Sequence, residues 1–194
     1  MEIFALPAVA PGQDPVPDEW LTPAEESAFQ ATPTYDETIS FLRQIEAALP
    51  EMKLEFFGRS ASGRPMPLVI LSAEKAFTPA AAQRLGKPLI LIQNGIHAGE
   101  IDGKDASLML LRDLALGRRR DLLSAATLLI VPIYNVDGHE RLSPWNRPNQ
   151  DGPRAGMGFR TTADGHDLNR DYLKLATPEA RNLVRLVNAW QPHL

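Results

Sequence analysis

The chain has 194 residues, of which 44% are hydrophobic and 23% charged, and this apolar share excludes an intrinsically disordered protein. Its formal net charge of −4 argues against a protein that coats nucleic acid, because phosphate contacts need a basic surface. The absence of cysteine excludes disulfides and thiol nucleophiles, so any metal site must be built from His, Asp and Glu.

Membrane and export signals are weak in this sequence. No apolar run approaches the roughly 20 residues of a spanning helix, so no membrane partner is predicted. Residues 1–14 lack the basic region that begins a signal peptide, although they could be an end from which such a peptide was removed. The sequence does not fix a compartment, and an extracytoplasmic one, periplasmic or secreted, is compatible with it.

The first third of the chain begins with a proline-rich segment. Residues 1–33 contain six prolines, which predicts an extended strap along the surface with one short helix beginning at Thr22. Thr34 with Glu37 repeats the same helix-start signal, and Pro50 ends the helix that it opens.

Strand patterns and helix patterns then alternate. Residues 54–57 and 66–71 predict an antiparallel hairpin, and residues 88–92 and 128–133 predict two strands buried on both faces. A helix over about residues 102–116 separates the latter two. The pattern predicts an α/β fold: a mixed, mostly parallel sheet with helices on both faces and an antiparallel hairpin at its start.

The end of the chain carries a long loop and a last helix. The loop, roughly residues 135–166, is of a length that is usually functional or disordered. Thr177 and Pro178 open an amphipathic helix, and the sequence stops at Leu194, where another strand is expected.

Unusual residues follow the two buried strands, at the sheet edge where α/β proteins bind ligands. His97 and Glu100 lie three positions apart at a strand-to-helix junction and can converge on one point. An imidazole and a carboxylate are two of the three ligands of a His₂Glu zinc site. Alternatively, they are a loop histidine and a glutamate favoured by the dipole of a first helical turn.

A second group lies in the long loop, at Asp167, Asn169 and Arg170, with Arg160 upstream. The arginine fork and the asparagine amide suit the binding of a carboxylate, and Asp167 could orient a metal-binding histidine. The alternative is a surface Asp–Arg pair that contributes little.

Taken together, these motifs resemble one enzyme family. Gly95–Glu100, Asn135–Gly138, Asp167–Arg170 and an arginine ten positions before Arg170 resemble, in order and spacing, the zinc metallocarboxypeptidases of the carboxypeptidase A/B type. The hairpin residues Gly58-Arg59-Ser60 and Gly63-Arg64-Pro65 also look like that family. The resemblance runs from about Thr34 to the end of the sequence and implies that residues 34–194 are the N-terminal portion of the catalytic domain, preceded by the proline-rich strap of residues 1–33.

The resemblance implies zinc-dependent hydrolysis of the C-terminal peptide bond of peptides. His97 and Glu100 would be two zinc ligands, and Asp167 would hold the His97 ring. In the family, a water on zinc is activated by a glutamate base and attacks the bond. The family's third ligand, a histidine, and its glutamate base are expected beyond Leu194.

The resemblance also implies how the substrate is held. Asn169 and Arg170 would bind the free C-terminal carboxylate of a peptide or peptide-like substrate, and Arg160 would stabilise the oxyanion that forms at the scissile carbonyl. Asp171 departs from the family, in which asparagine is common, and a carboxylate beside Arg170 is expected to weaken the binding of an anion or to favour a cation.

Two other functions remain open from the residues alone. One is a zinc deacylase of N-acyl amino acids, which shares the metal-ligand pattern and the Asn-Arg pair. The other is a non-catalytic peptide-binding module on the same fold. For the chain by itself we expect no activity, and self-association through its uncovered sheet edge.

The other histidines are weaker candidates for the site. His139 and His166 are expected to be solvated loop residues. His193 is expected where the next strand begins, at the sheet edge opposite the site and some 13–17 Å short of it, because a strand advances about 3.3 Å per residue.

Overall fold

The computed structural model describes residues 15–194, so the first part of the predicted strap, residues 1–14, lies outside the described residues. Within the described range the elements are α1 (Pro23–Glu26), α2 (Tyr35–Ala48), β1 (Met52–Arg59), β2 (Pro65–Leu71), α3 (Pro79–Leu85), β3 (Leu89–Gln93), α4 (Asp102–Ala115), α5 (Arg120–Ala125), β4 (Thr127–Val131), α6 (Val136–His139) and α7 (Pro178–Trp190), with 3₁₀ turns at Asp18–Trp20 and Leu168–Arg170.

The four strands form one mixed sheet in the order β1-β2-β4-β3. The pairs β1/β2 and β2/β4 are antiparallel, and β3/β4 is parallel. The α/β class and the opening hairpin are confirmed. Within residues 15–194 the sheet is mixed but not mostly parallel, since one of its three strand pairs is parallel. A parallel pair needs a crossover connection. Helices α4 and α5 provide it between β3 and β4.

Helix starts follow local sequence signals. Thr22, Thr34 and Thr177 cap their helices as predicted, each side-chain oxygen accepting a backbone N–H of the first turn. Helix α3 was not predicted, although Thr78 and Pro79 supply the same signal and Thr78 caps it. The sequence therefore contains the helix-start signal of α3, but the apolar pattern that follows it is too short to indicate a helix.

Strand β3 is less buried than expected. Leu89 is buried but the remaining four residues are half-buried, because β3 lies at the edge of the sheet. The chain end runs beside it: the His193 N–H donates to the Leu89 carbonyl at 2.8 Å and the Leu91 N–H to the Leu194 carbonyl at 2.7 Å. Residues 193 and 194 thus lie alongside β3.

The described end of the strap packs against α4. The Lys104 ammonium, buried to 2% exposure, donates to Thr32 Oγ1 at 2.6 Å and to the Pro33 carbonyl at 2.7 Å. These bonds compensate for the burial of a charge and hold the strap against the helix. The division of the chain at residue 33 stays a prediction. Within residues 15–194 no helix combines the length and the apolar character that crossing a bilayer requires.

Candidate active site

The two predicted segments meet beyond the carboxyl ends of β3 and β4. The Asn94 N–H donates to Val131, and the N–H groups of Tyr134 and Asn135 donate to Asn94 and Gly95, over 2.9 to 3.1 Å. Gly95 has a φ of +64°, a left-handed conformation that favours glycine. This backbone ladder continues the parallel pairing and fixes the start of the turn that carries His97.

His97 is held from both sides of its ring. It is 6% exposed, its Nδ1 lies 3.0 Å from Glu100 Oε1, and its Nε2 lies 3.0 Å from Asp167 Oδ1. A tight turn, in which the Glu100 N–H donates to the His97 carbonyl, brings the first pair together. The structure therefore brings His97, Glu100 and Asp167 into one site, as the motif spacing predicts.

Asp167 is an ionised acceptor. Burial alone would raise its pKa, but hydrogen bonds from His97, Arg160 and the Asn169 N–H outweigh burial and lower the pKa. Arg160 donates to Asp167 Oδ2 from Nε at 3.0 Å, and its Nη2 is 2.9 Å from the same oxygen. An ionised Asp167 favours a proton on Nε2 of His97, so the electron pair of Nδ1 points toward Glu100.

The donor chemistry of this pair fits a zinc ion. A neutral Nδ1 and a carboxylate oxygen both present electron pairs, and at 3.0 Å they need a proton or a cation between them. Among residues 15–194, however, no group of three or more His, Cys, Asp or Glu side chains is placed to hold a metal. The described residues thus offer two donors, His97 and Glu100, fewer than the three protein ligands of a catalytic zinc site.

Asn169 and Arg170 lie on an exposed 3₁₀ turn beside this cluster. The turn is anchored by buried Leu168 and by the Asn169 N–H, which donates to Asp167 Oδ1 at 3.0 Å. Arg170 Nη1 donates to the Asn169 carbonyl at 2.9 Å. The guanidinium and the side-chain amide are therefore held on the surface by a backbone that Asp167 itself orders.

Asp171 is buried and bonded to the start of α7. Its carboxylate is 4% exposed and accepts the N–H groups of Ala176 and Thr177 at 2.8 Å and the Thr177 hydroxyl at 2.7 Å. Burial would raise its pKa, but these hydrogen bonds lower it overall. The expectation that Asp171 weakens Arg170 is thus not supported, because the carboxylate is engaged at the start of α7.

The remaining histidines lie outside this cluster. His166 is exposed, as predicted. His139 is not a solvated loop residue, because α6 buries it to 3% exposure and burial lowers its pKa. His193 accepts the Leu89 N–H at its Nδ1, at 3.1 Å, which places it at the opposite end of β3 from the site, as predicted.

One residue near the site was not predicted. Arg147 donates from Nη1 to Glu100 Oε1 at 3.1 Å and from Nε to Gln150 at 3.0 Å. It passes over Gly99, where a Cβ atom would lie 2.9 Å from the Arg147 side chain. Glu100 and Arg147 are 47 positions apart, so the sequence carried no spacing signal for this contact.

The comparisons with known proteins agree on one family. Residues 38–185 match the family described as zinc carboxypeptidase. Carboxypeptidase 2 of Trichophyton rubrum is 31% identical over 166 residues, covering 84% of this chain and 28% of that protein. Human carboxypeptidase D is 31% identical over 171 residues, covering 77% of this chain and 12% of its own length. The chain thus spans under a third of these relatives.

Solved structures show the same fold. A metallo-carboxypeptidase from Burkholderia cenocepacia has a TM-score of 0.60 at 23% identity, covering 81% of this chain and 38% of its own. The thrombin-activatable fibrinolysis inhibitor has a TM-score of 0.62 at 17% identity, covering 86% and 46%. At these identities the likeness concerns the fold.

Proposed function

Because this chain belongs to the zinc carboxypeptidase family, we propose that it forms the first part of a site that hydrolyses the C-terminal peptide bond of peptides. The observation that carries the proposal is the His97 ring, which Asp167 orients so that Nδ1 faces Glu100 at 3.0 Å. A structural loop histidine has no need of two opposed carboxylates, whereas a metal ligand is commonly oriented in this way.

The proposal assigns the metal to His97 and Glu100. Zinc bound there would supply a Lewis acid that polarises the substrate carbonyl and activates a water. Asp167 would keep the His97 proton on Nε2, and Nδ1 would remain free to bind. The third ligand and the glutamate base are proposed to lie beyond Leu194, in agreement with the two-ligand set of residues 15–194.

The substrate carboxylate is assigned to Asn169 and Arg170. Both are exposed, on the same turn, and adjacent to Asp167, which binds the His97 ring. A peptide held there by its terminus would present its last peptide bond toward His97 and Glu100. Peptides with a free C-terminal carboxylate are therefore the proposed partners.

Arg160 is assigned to the oxyanion. Its guanidinium donates to Asp167, and its Nη1 lies 3.3 Å from His97 Nδ1, the atom proposed to bind the metal. A fixed positive charge next to the reacting carbonyl stabilises the charge that develops on its oxygen. Asp167 thus positions both His97 and Arg160.

The deacylase is not favoured, since the curated relatives are named carboxypeptidases. Self-association through β3 is a further part of the proposal, supported by its half-buried edge position, along which residues 193 and 194 bond to Leu89 and Leu91. An extracytoplasmic location remains an expectation from the N-terminal sequence, and cell fractionation tests it.

The test uses a peptide acid and its C-terminal amide. We expect the protein to bind the acid about 10-fold to 100-fold more tightly, because a hydrogen bond to a charged group contributes about 1.5–3 kcal/mol. Arg170→Ala removes the difference. Arg154→Ala is the control, since Arg154 is exposed in the preceding loop and has no hydrogen-bond partner among residues 15–194. Equal binding of acid and amide by the wild type contradicts the carboxypeptidase proposal.

A further inference from the structure

A cavity of about 580 Å³ opens beside Glu100. Three segments form its walls: residues 28–31 of the strap, the first turns of α4, and residues 147–157 of the long loop. The Ala155 N–H donates to the Gln30 carbonyl at 3.1 Å and joins the strap to the loop. Its volume is that of a site for a small organic group.

The cavity lies on one side of the proposed metal ligand. Glu100 and Arg147 line it, whereas Asp167, Asn169 and Arg170 do not. Glu100 therefore stands between the cavity and the residues proposed to hold the C-terminal carboxylate. A peptide that is anchored by its terminus and has its last bond at Glu100 extends its preceding residues toward the cavity.

The walls combine apolar surface with unpaired negative charge. Phe29, Ile101, Met109 and Met157 supply apolar surface along its length. Of the four lining carboxylates, Glu100 is paired with Arg147 and Asp105 with Lys104, whereas Asp102 and Asp151 are exposed and have no hydrogen-bond or ion-pair partner among residues 15–194.

Such a lining fits a long aliphatic chain that ends in a cation. The methylene groups of a lysine or arginine side chain can lie along the apolar wall while the charged end reaches Asp102 or Asp151. A neutral aliphatic chain would gain nothing from these two exposed carboxylates, and an acidic one would be repelled by them.

We infer that this cavity is a specificity site for a basic side chain in the residues that precede the bond to be cleaved. The inference rests on the proposed function, which places the peptide C-terminus at Asn169 and Arg170. It adds a substrate preference that depends on the strap and the long loop.

The experiment uses four peptides that vary in two properties, the charge of the side chains and the charge of the C-terminus. Acetyl-Lys-Lys-Leu and acetyl-norleucine-norleucine-Leu are each prepared as the acid and as the amide, and are titrated into protein with labelled Met methyl groups. Norleucine matches lysine in its aliphatic stem but lacks the charge. The methyl signals of Met109 and Met157 report occupation of the cavity.

We expect the lysine peptides to bind about threefold to tenfold more tightly, the range for two partly exposed ion pairs, and to shift both methyl signals. Asp102→Asn combined with Asp151→Asn removes the preference. Asp121→Asn retains it, because Asp121 is likewise an acidic residue in the first turn of a helix, α5, but does not line the cavity. Equal binding of lysine and norleucine peptides, unshifted methyl signals, or no binding at all overturns the inference.

The acid and amide arms separate the two proposals. In one outcome acid and amide bind equally, but the lysine peptides still bind more tightly and shift the methyl signals of Met109 and Met157. The carboxylate assignment then fails and the cavity assignment stands. If the acid is preferred and lysine is not, the proposed function stands and the specificity site is wrong.

Discussion

Two histidine–glutamate pairs in this protein have similar hydrogen bonds but different surroundings. His97 and Glu100 interact through Nδ1 and Oε1 at 3.0 Å, and His139 and Glu140 through the same atom types at 2.7 Å. The Glu100 side chain is 44% exposed at the edge of a cavity, whereas that of Glu140 is 25% exposed and accepts the Tyr35 N–H.

The far side of each ring marks the difference. His97 Nε2 meets Asp167, but His139 Nε2 is buried and has no hydrogen-bond partner among residues 15–194. A metal ligand needs its distal nitrogen held and its pairing atom accessible, and the first pair alone meets both conditions. The comparison teaches that a histidine beside a glutamate is a metal candidate only in such surroundings.

The largest expected effect concerns zinc binding and activity when His97 and Glu100 are the available donors. The 194 residues by themselves should show no detectable carboxypeptidase activity and only weak zinc binding, because residues 15–194 contain no group of three or more His, Cys, Asp or Glu side chains placed to hold a metal. Zinc titration and a peptide-hydrolysis assay of the purified chain check this. Tight stoichiometric zinc together with zinc-dependent turnover would require a third ligand within the chain.

Replacing each histidine separates the pairs. In the full-length protein, with the proposed third ligand present, His97→Ala should weaken zinc binding by more than about 100-fold, since loss of even an orienting partner costs 10-fold to 100-fold. His139→Gln should leave zinc binding unchanged. Competition with a chelator measures both, and unchanged zinc binding in His97→Ala would refute the assignment.

Asp167→Asn should weaken zinc binding by about 10-fold to 100-fold, because the amide no longer favours the His97 tautomer with its proton on Nε2. Nitrogen chemical shifts of the ring would report the change of tautomer. Asp164→Asn, an exposed carboxylate of the same loop, is the matched control. A normal tautomer with normal affinity would remove Asp167 from the site.

The second pair should appear in the pH dependence of stability. Burial lowers the pKa of His139 in the folded protein, so the unfolded chain binds the proton more readily. The folded protein therefore has its full stability, as far as His139 is concerned, above the unfolded pKa of about 6.5. Below that pH the free energy of unfolding falls, by at most about 1.4 kcal/mol per pH unit.

Urea unfolding between pH 8 and pH 5 measures this slope. His139→Gln should have a shallower slope than the wild type, and His166→Gln, at an exposed position, the same slope. Identical slopes in all three proteins would mean that His139 is accessible to protons in the folded state.

The smallest effect concerns the two glutamates. Glu140→Gln should destabilise the fold by about 1 kcal/mol, because it weakens hydrogen bonds to the His139 ring and to the Tyr35 N–H. Glu100→Gln should change stability by less than about 0.5 kcal/mol, since its side chain is 44% exposed, against 25% for Glu140. Thermal unfolding compares the two, and the reverse order would contradict the contrast between the pairs.

Local features of the fold could be predicted from the sequence. The caps at Thr22, Thr34 and Thr177, the hairpin and the last helix depend on residues within a few positions of one another. The site cluster was also accessible, because the order and spacing of its motifs resemble a family. The family and the α/β class are therefore confirmed, whereas the roles of the site residues remain predictions.

The sequence by itself determined where helices and strands begin, and which side chains follow the buried strands. Only the tertiary structure decided that His139 is buried, that Asp171 binds the start of α7, that β3 is half-buried at an edge, and that Arg147 reaches Glu100. The reason is physical: a cap or a turn is made by neighbours in the chain, whereas burial and ion pairs depend on groups that folding brings together from distant positions.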